Sequence, residues 1–322
     1  MAGLPPIDDV ESSPGHGFVE RLAVSFISAG IAGFPAVKVN GFAFLIGTEN
    51  ADTLIGGDGP DVIEGLGGND SAFGGIGDDL VSGGRGNDYL AGDGPVAFDD
   101  PAFPPAGDDT VIGGDGDDAM FGDADFYAGH LRDAAGSNLL FGGAGNDSIT
   151  AGYGADTVFG GGGDDSIRGH GSSVPSGSGG VIARESDFGD SLFGGSGDDT
   201  IDGAGGRDAI HGGSGDDSLI GGVGNDTLAG GAGADSFVFA APPLGTPFDT
   251  GQGSGNRDVV LDFRTGEDLL DLRGYRSRAI EWDYEEESDA TIVFISGFGT
   301  SAPGGEIELR GVRNLTADDI LF

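Results

Sequence analysis

Large apolar residues recur at one fixed position of a nine-residue unit that repeats over residues 47–238. Three clear copies are G-G-I-G-D-D-L-V-S from Gly74, G-G-R-G-N-D-Y-L-A from Gly83 and G-G-V-G-N-D-T-L-A from Gly221. The template is G-G-x-G-x-D-x-U-x, and U at position 8 is apolar in all seventeen units, with Ala72 the one small residue. The segment x-U-x has room for a short strand only, with U facing inward and its neighbours facing out.

The register of the units is strict along the whole segment. Position 6 is Asp in sixteen units and Asn138 in the remaining one. Three units are overlong, by 12, 11 and 16 residues, and they are the sixth, eighth and twelfth. One unit cannot bury its apolar residue alone, so the units have to stack. A flexible Gly/Asp-rich linker is the alternative; the strict position 8 disfavours it with ions present, whereas the ion-free chain is expected to be largely unfolded.

The remaining positions of the unit indicate a metal-binding turn. Glycines at positions 1, 2 and 4 permit positive φ and a tight turn. Such a turn directs backbone carbonyls and one carboxylate at a common point, and oxygen ligands suit a hard cation such as Ca²⁺. The candidate calcium ligands are the position-6 aspartates: Asp52, Asp61, Asp70, Asp79, Asp88, Asp109, Asp118, Asp147, Asp156, Asp165, Asp190, Asp199, Asp208, Asp217, Asp226 and Asp235.

The repeats resemble the hemolysin-type nonapeptides of the RTX (repeats-in-toxin) proteins, a calcium-binding family. The resemblance implies an all-β fold, a right-handed parallel β-roll in which two units form one coil. It also implies that several calcium ions sit between turns of successive coils. Family members are secreted by the type I machinery, so the resemblance implies a secreted protein, extracellular or at the cell surface.

Composition limits the classes of partner. The chain carries 55 acidic and 14 basic residues, a formal charge of −41. So acidic a chain repels nucleic acid and anionic membranes, and we expect neither nucleic-acid binding nor membrane insertion. A compact state at this charge density requires cations. Cysteine is absent, so disulfides and thiolate metal sites are excluded.

Residues 1–46 are predicted to form an N-terminal cap on the open end of the roll. The apolar run Leu22–Phe34 predicts a strand or short helix, and it is too short for a membrane anchor. No Lys or Arg precedes Arg21, so the basic start of a secretory signal is missing. Val37–Ile46 then reads as a strand that leads into the first coil.

Residues 239–322 are predicted to form a C-terminal β cap that carries the secretion signal. The strand-like segments are 258–263, 268–272, 290–296 and 306–309. The segment Asp258–Leu272 resembles the cap that follows the roll in secreted RTX proteins. The ending D-D-I-L-F resembles the uncleaved signal of type I secretion, and the alternative interpretation is a last strand of the cap. Both can hold.

No catalytic motif is found, and we expect a protein that is not an enzyme. H-E-x-x-H and G-x-S-x-G are absent, and the four histidines lie far apart in sequence. Two function classes remain: a calcium-binding structural or interaction protein of the cell surface or matrix, or a secreted enzyme or effector, for example one acting on polysaccharide, with an unrecognised site. A membrane-active toxin is a weaker third, since long apolar segments ahead of the repeats are missing.

The overlong units are all even-numbered, so one edge of the roll is expected to keep an unbroken file of turns with better ordered ions. The insertions are placed near Pro95–Ala106, Asp125–Ala135 and Ser172–Phe188. Position 9 should face outward, yet on four consecutive even units it is apolar: Ile112, Phe141, Phe159 and Phe193. This stripe is either covered by loops or the C-terminal flank, or is a docking face for a second copy, a surface protein or a glycan.

Overall fold

The computed structural model describes residues 36–39, 42–94, 107–123, 136–152, 154–170, 188–239, 257–275, 279–296 and 305–322. Within these ranges the chain is all-β, with two 3-10 turns at Arg273–Tyr275 and Ala317–Asp319. The strands form a sheet of 14, a sheet of 11 and a pair. Parallel pairing runs through the repeat region of both large sheets, so the predicted parallel β-roll is confirmed.

The first sheet has antiparallel pairs at its two ends and parallel strands between them. In spatial order its strands are β1 (Ala36–Val39), β2 (Phe42–Ile46), β4 (Val62–Gly67), β6 (Leu80–Arg85), β8 (Thr110–Asp115), β10 (Leu139–Ala144), β12 (Thr157–Gly162), β14 (Ser191–Ser196), β17 (Ala209–Ser214), β20 (Thr227–Ala232), β22 (Asp258–Val260), β26 (Gly305–Arg310), β25 (Ala290–Ile295) and β24 (Ile280–Glu285).

The second sheet is parallel throughout and lies opposite the first. Its strands are β3 (Thr53–Asp58), β5 (Ser71–Ile76), β7 (Tyr89–Asp93), β9 (Ala119–Phe121), β11 (Ser148–Gly152), β13 (Ser166–His170), β15 (Thr200–Asp202), β18 (Ser218–Ile220), β21 (Ser236–Val238), β23 (Leu269–Asp271) and β27 (Ile320–Leu321). The small pair joins β16 (Gly205–Gly206) to β19 (Val223–Gly224).

Each coil contains two nonapeptides, one in each large sheet. Leu140 of an even unit pairs with Val158 of the next even unit in the first sheet. Ile149 of an odd unit pairs with Ile167 of the next odd unit in the second sheet. The pairing places equivalent positions of successive coils side by side, so every position of the repeat forms a file along the stack.

The core is the file of position-8 side chains between the two sheets. Sixteen of the seventeen are at most 3% exposed, and Leu54 of the first unit packs against them while partly buried. The buried sixteen are Ile63, Ala72, Val81, Leu90, Val111, Met120, Leu140, Ile149, Val158, Ile167, Leu192, Ile201, Ile210, Leu219, Leu228 and Phe237. Burial of this one position in every unit provides the hydrophobic stabilisation of the stack.

Glycine is required at different positions of the turn for two distinct reasons. Glycines at positions 2 and 4 adopt positive φ in most units, as at Gly161 and Gly163, with 119° and 123°, and Gly57 and Gly224 are exceptions. Position 1 does not, which corrects the expectation that all three glycines are required by φ. A β-carbon on Gly160, at position 1, would instead lie within 3.0 Å of the carboxylate of Asp165 and of the carbonyl oxygen of Gly194.

The N-terminal flank differs in part from its prediction. In place of one strand over residues 37–46, the described residues form two antiparallel strands, β1 (Ala36–Val39) and β2 (Phe42–Ile46). The apolar run at residues 22–34 lies outside the described residues.

The C-terminal flank extends both sheets. Strands β22 and β26 continue the first sheet, and β23 and β27 continue the second. The four predicted segments are present as β22, β23, β25 and β26. Strand β24 was missed, although I-E-W-D-Y-E alternates with a period of two.

Candidate metal centre

The turns that join the two sheets lie along two edges of the roll. Odd-numbered units supply one edge and even-numbered units the other, because each turn leads from a strand of one sheet to a strand of the opposite sheet. The odd-edge turns between Gly47 and Asp235 all lie within the described ranges. The three predicted insertions belong to even-numbered units and, apart from exposed Phe188, lie outside the described residues.

Position-6 carboxylates form a hydrogen-bonded ladder on each edge. One oxygen, Oδ1, accepts the backbone N–H of the equivalent residue one coil earlier. On the odd edge the N–H of Asp165 donates to Asp199 at 2.8 Å, and that of Asp199 donates to Asp217 at 2.9 Å. On the even edge the N–H of Asp190 donates to Asp208 at 2.8 Å. These bonds fix the orientation of each carboxylate.

The second oxygen, Oδ2, points into the turn and is buried. Fifteen of the sixteen predicted ligands are buried, and Asp52 is partly exposed. Within the described ranges, Oδ2 is buried and accepts no hydrogen bond in Asp70, Asp79, Asp88, Asp109, Asp118, Asp147, Asp156, Asp165, Asp199, Asp217, Asp226 and Asp235. A buried ionised oxygen with no donor is costly, so these turns require a positive group.

The turn geometry shows which atoms surround that oxygen. The missing β-carbon of Gly142 marks a space bordered by Asp147 Oδ2 and by the carbonyl oxygen of Gly160 in the next coil. Gly194 marks the same space between Asp199 Oδ2 and the carbonyl oxygen of Gly212. Turns of this kind therefore bring a carboxylate of one coil and a carbonyl of the next together, both of them acceptors.

An acceptor-only pocket of this kind fits Ca²⁺, which takes six to eight oxygen ligands from carboxylates and backbone carbonyls. No group of three or more His, Asp or Glu side chains converges within the described ranges. The further ligands therefore have to be backbone carbonyl oxygens of the glycine-rich turns. The position-6 aspartates would hold the ions, and the calcium would neutralise the stacked carboxylates.

The electrostatics of the stacked aspartates also indicate that these turns require a cation. Burial raises the pKa of Asp165 to about 7, and neighbouring carboxylates, including Asp147 and Asp199, add to the rise. Burial likewise raises the pKa of Asp190 to about 9. Without a cation, several of these carboxyls therefore hold a proton near neutral pH, and a bound cation would restore the ionised form.

Turns at the ends of the roll differ, because the chain itself supplies a donor to Oδ2. The Oδ2 atom of Asp52 accepts the N–H of Thr48 at 2.6 Å and its hydroxyl at 2.8 Å. At the other end, Asp268 Oδ2 accepts the N–H of Arg264 at 2.7 Å. The turns that lack a donor for Oδ2 thus lie in the interior, and there the need for a cation is greatest.

A second ladder at position 5 was missed by the sequence analysis. On the odd edge the N–H of each position-5 residue donates to the side chain one coil earlier, as from Asp164 to Asn146 at 3.0 Å and from Asp198 to Asp164 at 2.9 Å. Its members are Asn69, Asn87, Asp117, Asn146, Asp164, Asp198 and Asp216. The signal was visible, since position 5 is Asn or Asp in seven consecutive odd units.

The predicted apolar stripe lies on the outer face of the first sheet. The rings of Phe141 and Phe159 stack with centroids 5.2 Å apart, and those of Phe159 and Phe193 with centroids 4.9 Å apart. Both pairs are within 10° of parallel, and His211 continues the row at 6.4 Å. Phe159 and Phe193 are each 37% exposed.

Comparison with protein families finds the RTX calcium-binding nonapeptide repeat (4 copies). Its matches cover residues 46–81, 64–94, 106–126, 134–167, 186–219 and 202–237. These ranges coincide with the nonapeptide units and contain the buried aspartates. A comparison with curated proteins finds no match.

Among solved structures, this chain is similar to two subunits of a mannuronan C5-epimerase from Azotobacter vinelandii. The AlgE6R3 subunit is 25% identical, with a TM-score of 0.23, over 50% of this chain and 78% of that chain. The AlgE6R2 subunit is 26% identical, with a TM-score of 0.21, over 44% and 92%. The extracellular lipase LipA from Serratia marcescens is 18% identical, with a TM-score of 0.24, over 89% and 40%.

Proposed function

This chain is a protein of RTX calcium-binding nonapeptide repeats, and on that premise we propose that it is a secreted protein whose roll folds on binding extracellular calcium. Its role in this proposal is structural or interactive, at the cell surface or in the extracellular matrix, and not catalytic. The ions are part of the fold, because the ligands come together only when successive coils stack.

One observation carries the proposal: the interior turns hold buried carboxylate oxygens with no hydrogen-bond donor among the described residues. Without calcium, folding would either bring two files of like charges to within one coil of each other or require some of the carboxyls to take up protons, in a chain whose formal charge is −41. Calcium binds the folded turns and not the unfolded chain, so it stabilises the roll by mass action. Affinity is expected on the order of 10⁻⁴–10⁻³ M, the range of extracellular modules.

Secretion is supported by the same coupling of folding to calcium. Passage through a narrow channel requires an unfolded chain, and a roll that folds only in extracellular calcium meets that requirement. The acidic and apolar residues of Asp318–Phe322 resemble those of a type I signal. Residues 320–321 also form β27, so the same segment serves as the last strand of the second sheet. No helix in the described ranges is long and apolar enough to cross a bilayer.

An interaction role is supported by the stripe of Phe141, Phe159 and Phe193. Their rings stack face to face, so solvent reaches mainly the ring edges. A sugar ring stacks on the face of an aromatic ring, whereas these three side chains present a row of apolar ring edges. The stripe therefore favours a protein surface over a glycan as the docking partner.

Equilibrium dialysis against calcium, in the presence of excess magnesium, tests the proposed calcium binding. We expect several calcium ions per chain at millimolar calcium, and no substitution by Mg²⁺, which demands a tighter octahedral geometry. The variant Asp165→Ala should bind fewer ions than the unmodified chain. A chain that binds no calcium at millimolar concentrations, or binds magnesium equally, contradicts the proposal.

Location is tested separately on the producing cells. The protein should be found in the medium or be released from intact cells by a calcium chelator, and deletion of residues 318–322 should retain it inside. Retention of the unmodified protein in the cytoplasm would overturn the proposed location without affecting the calcium chemistry.

A further inference from the structure

The eighth unit, on the even edge, departs from the aspartate pattern. Asn138 replaces the position-6 aspartate and is 2% exposed. Its Oδ1 accepts the N–H of Asp109 at 3.0 Å, and its own N–H donates to Asp156 at 2.7 Å. Asn138 thus occupies the same place in the ladder as an aspartate. Because Oδ1 is held by the N–H of Asp109, the Nδ2 group has to point into the turn.

The Nδ2 group of Asn138 takes the place of the second carboxylate oxygen. The missing β-carbon of Gly122 marks a space bordered by Asn138 Nδ2 and the carbonyl oxygen of Ala151, as that of Gly142 marks a space bordered by two oxygens. Nδ2 donates to the carbonyl oxygen of Ala151 and to Oδ1 of Asp123, both at 3.2 Å. Both amide hydrogens are therefore used, and the Ala151 carbonyl meets a donor, whereas its equivalents in the other turns border a carboxylate oxygen.

Ala151 provides an independent observation at the same junction. Ala151 is the one residue at position 1 of the seventeen units that is not glycine, and it is fully buried. By its place in the repeat, its methyl group belongs to the turn of the tenth unit, at the position where glycines such as Gly160 have no room for a β-carbon, and its carbonyl oxygen borders the turn of the eighth unit. Asn138 and Ala151 are joined by the hydrogen bond, so the two departures from the repeat coincide in one pair of adjacent coils.

We propose that the turn of the eighth unit is closed by the Asn138 amide in place of a calcium ion, so that the even-edge file of ions is divided in two at this point. The inference rests on the calcium binding proposed above, and it identifies one turn that binds no calcium. The amide hydrogens of Asn138 perform the neutralising role of the cation, and Asp123 provides the acceptor for the second hydrogen.

Counting bound calcium in matched variants tests this inference. The ninth unit, which follows directly and lies on the odd edge, provides the control, since Asp147 has an unpaired buried Oδ2. We expect Asn138→Ala to bind as many ions as the unmodified chain and Asp147→Ala to bind at least one fewer, measured by dialysis with elemental analysis. Loss of an ion in Asn138→Ala would overturn the inference.

A second variant covers the case in which Asn138→Ala does not fold. Asn138→Asp restores the repeat pattern and should bind one additional ion, with a midpoint of calcium-induced folding shifted to higher calcium because the internal donor is lost. An unchanged ion count in Asn138→Asp would contradict the inference. If the unmodified chain binds no calcium, the proposed function fails. If Asp147→Ala loses a calcium ion but Asn138→Asp gains none, this inference alone is refuted.

Discussion

Replacing Gly160 by alanine should remove one calcium site without changing the charge of the protein. The added β-carbon would lie 2.3 Å from Asp165 Oδ2 and 2.6 Å from the carbonyl oxygen of Gly194. Real β-carbons do not approach other atoms closer than 3.0 Å, so both oxygens have to move by a few tenths of an ångström or more. Both border the space that we assign to the ion, and the ion would lose two ligands.

The magnitude follows from mass action. At about 10 mM calcium and a dissociation constant on the order of 10⁻⁴–10⁻³ M, one site contributes about 1.4–2.7 kcal/mol to the stability of the roll. Overpacking adds a destabilisation of about 1–3 kcal/mol. The calcium-dependent part should grow by about 1.4 kcal/mol for each tenfold rise in calcium, once the site is saturated.

Gly162→Ala is the matched control, because it makes the same substitution two residues away in the same turn. A β-carbon there would meet only Ser196 Oγ, at 3.1 Å, and the backbone φ is not positive. Its effect should lie within about 0.5 kcal/mol. Thermal unfolding at two calcium concentrations, together with an ion count, measures both variants. Equal destabilisation by the two, or a full ion count in Gly160→Ala, refutes the reasoning about position 1.

Three further predictions concern pH, the two edges and the stripe. Burial raises the pKa of Asp165 and Asp217 to about 7, above the value of about 3.9 in an unfolded chain. The ion-free roll therefore takes up protons on folding, and its stability should rise as pH falls from about 7 to about 4. Circular dichroism in a chelator at several pH values checks this, and no gain in β structure on acidification counts against it. Ions should be more numerous and better ordered on the odd edge, whose turns carry no insertion, and crystallographic anomalous scattering with equal occupancy on both edges would speak against this. Replacing Phe141, Phe159 and Phe193 with Ser should abolish association while leaving calcium-induced folding intact; loss of folding would instead indicate a covered second core, and no change in either would dismiss the stripe.

The period of the apolar positions was sufficient to predict the architecture. Position 8 is buried in every unit after the first, and the even–odd alternation of units places Leu140 and Ile149 in opposite sheets, as the two-units-per-coil hypothesis requires. A pattern repeated this many times specifies register strongly, because a slip by one residue would turn the whole apolar file to the outside.

The finer features of the site depend on contacts between coils, and one unit of the sequence does not show them. The requirement for glycine at position 1 arises from an aspartate five residues later and a carbonyl in the next coil. In the sequence, Asn138 in place of aspartate is a conservative exchange. In the stack, however, its amide group supplies two donors where aspartate supplies an acceptor. The donor to Asp268 comes from Arg264, in the C-terminal flank, where the nonapeptide pattern no longer applies.

The most direct test of the account is the folding of the whole chain with and without calcium. Far-ultraviolet circular dichroism and small-angle X-ray scattering should show an expanded, largely unfolded chain in a chelator, and a compact β-rich particle when calcium is raised to a few millimolar. Magnesium at the same concentration should leave the chain expanded. A full β spectrum and a compact particle in the chelator at neutral pH would contradict the central claim that calcium ions between the stacked turns hold this roll together.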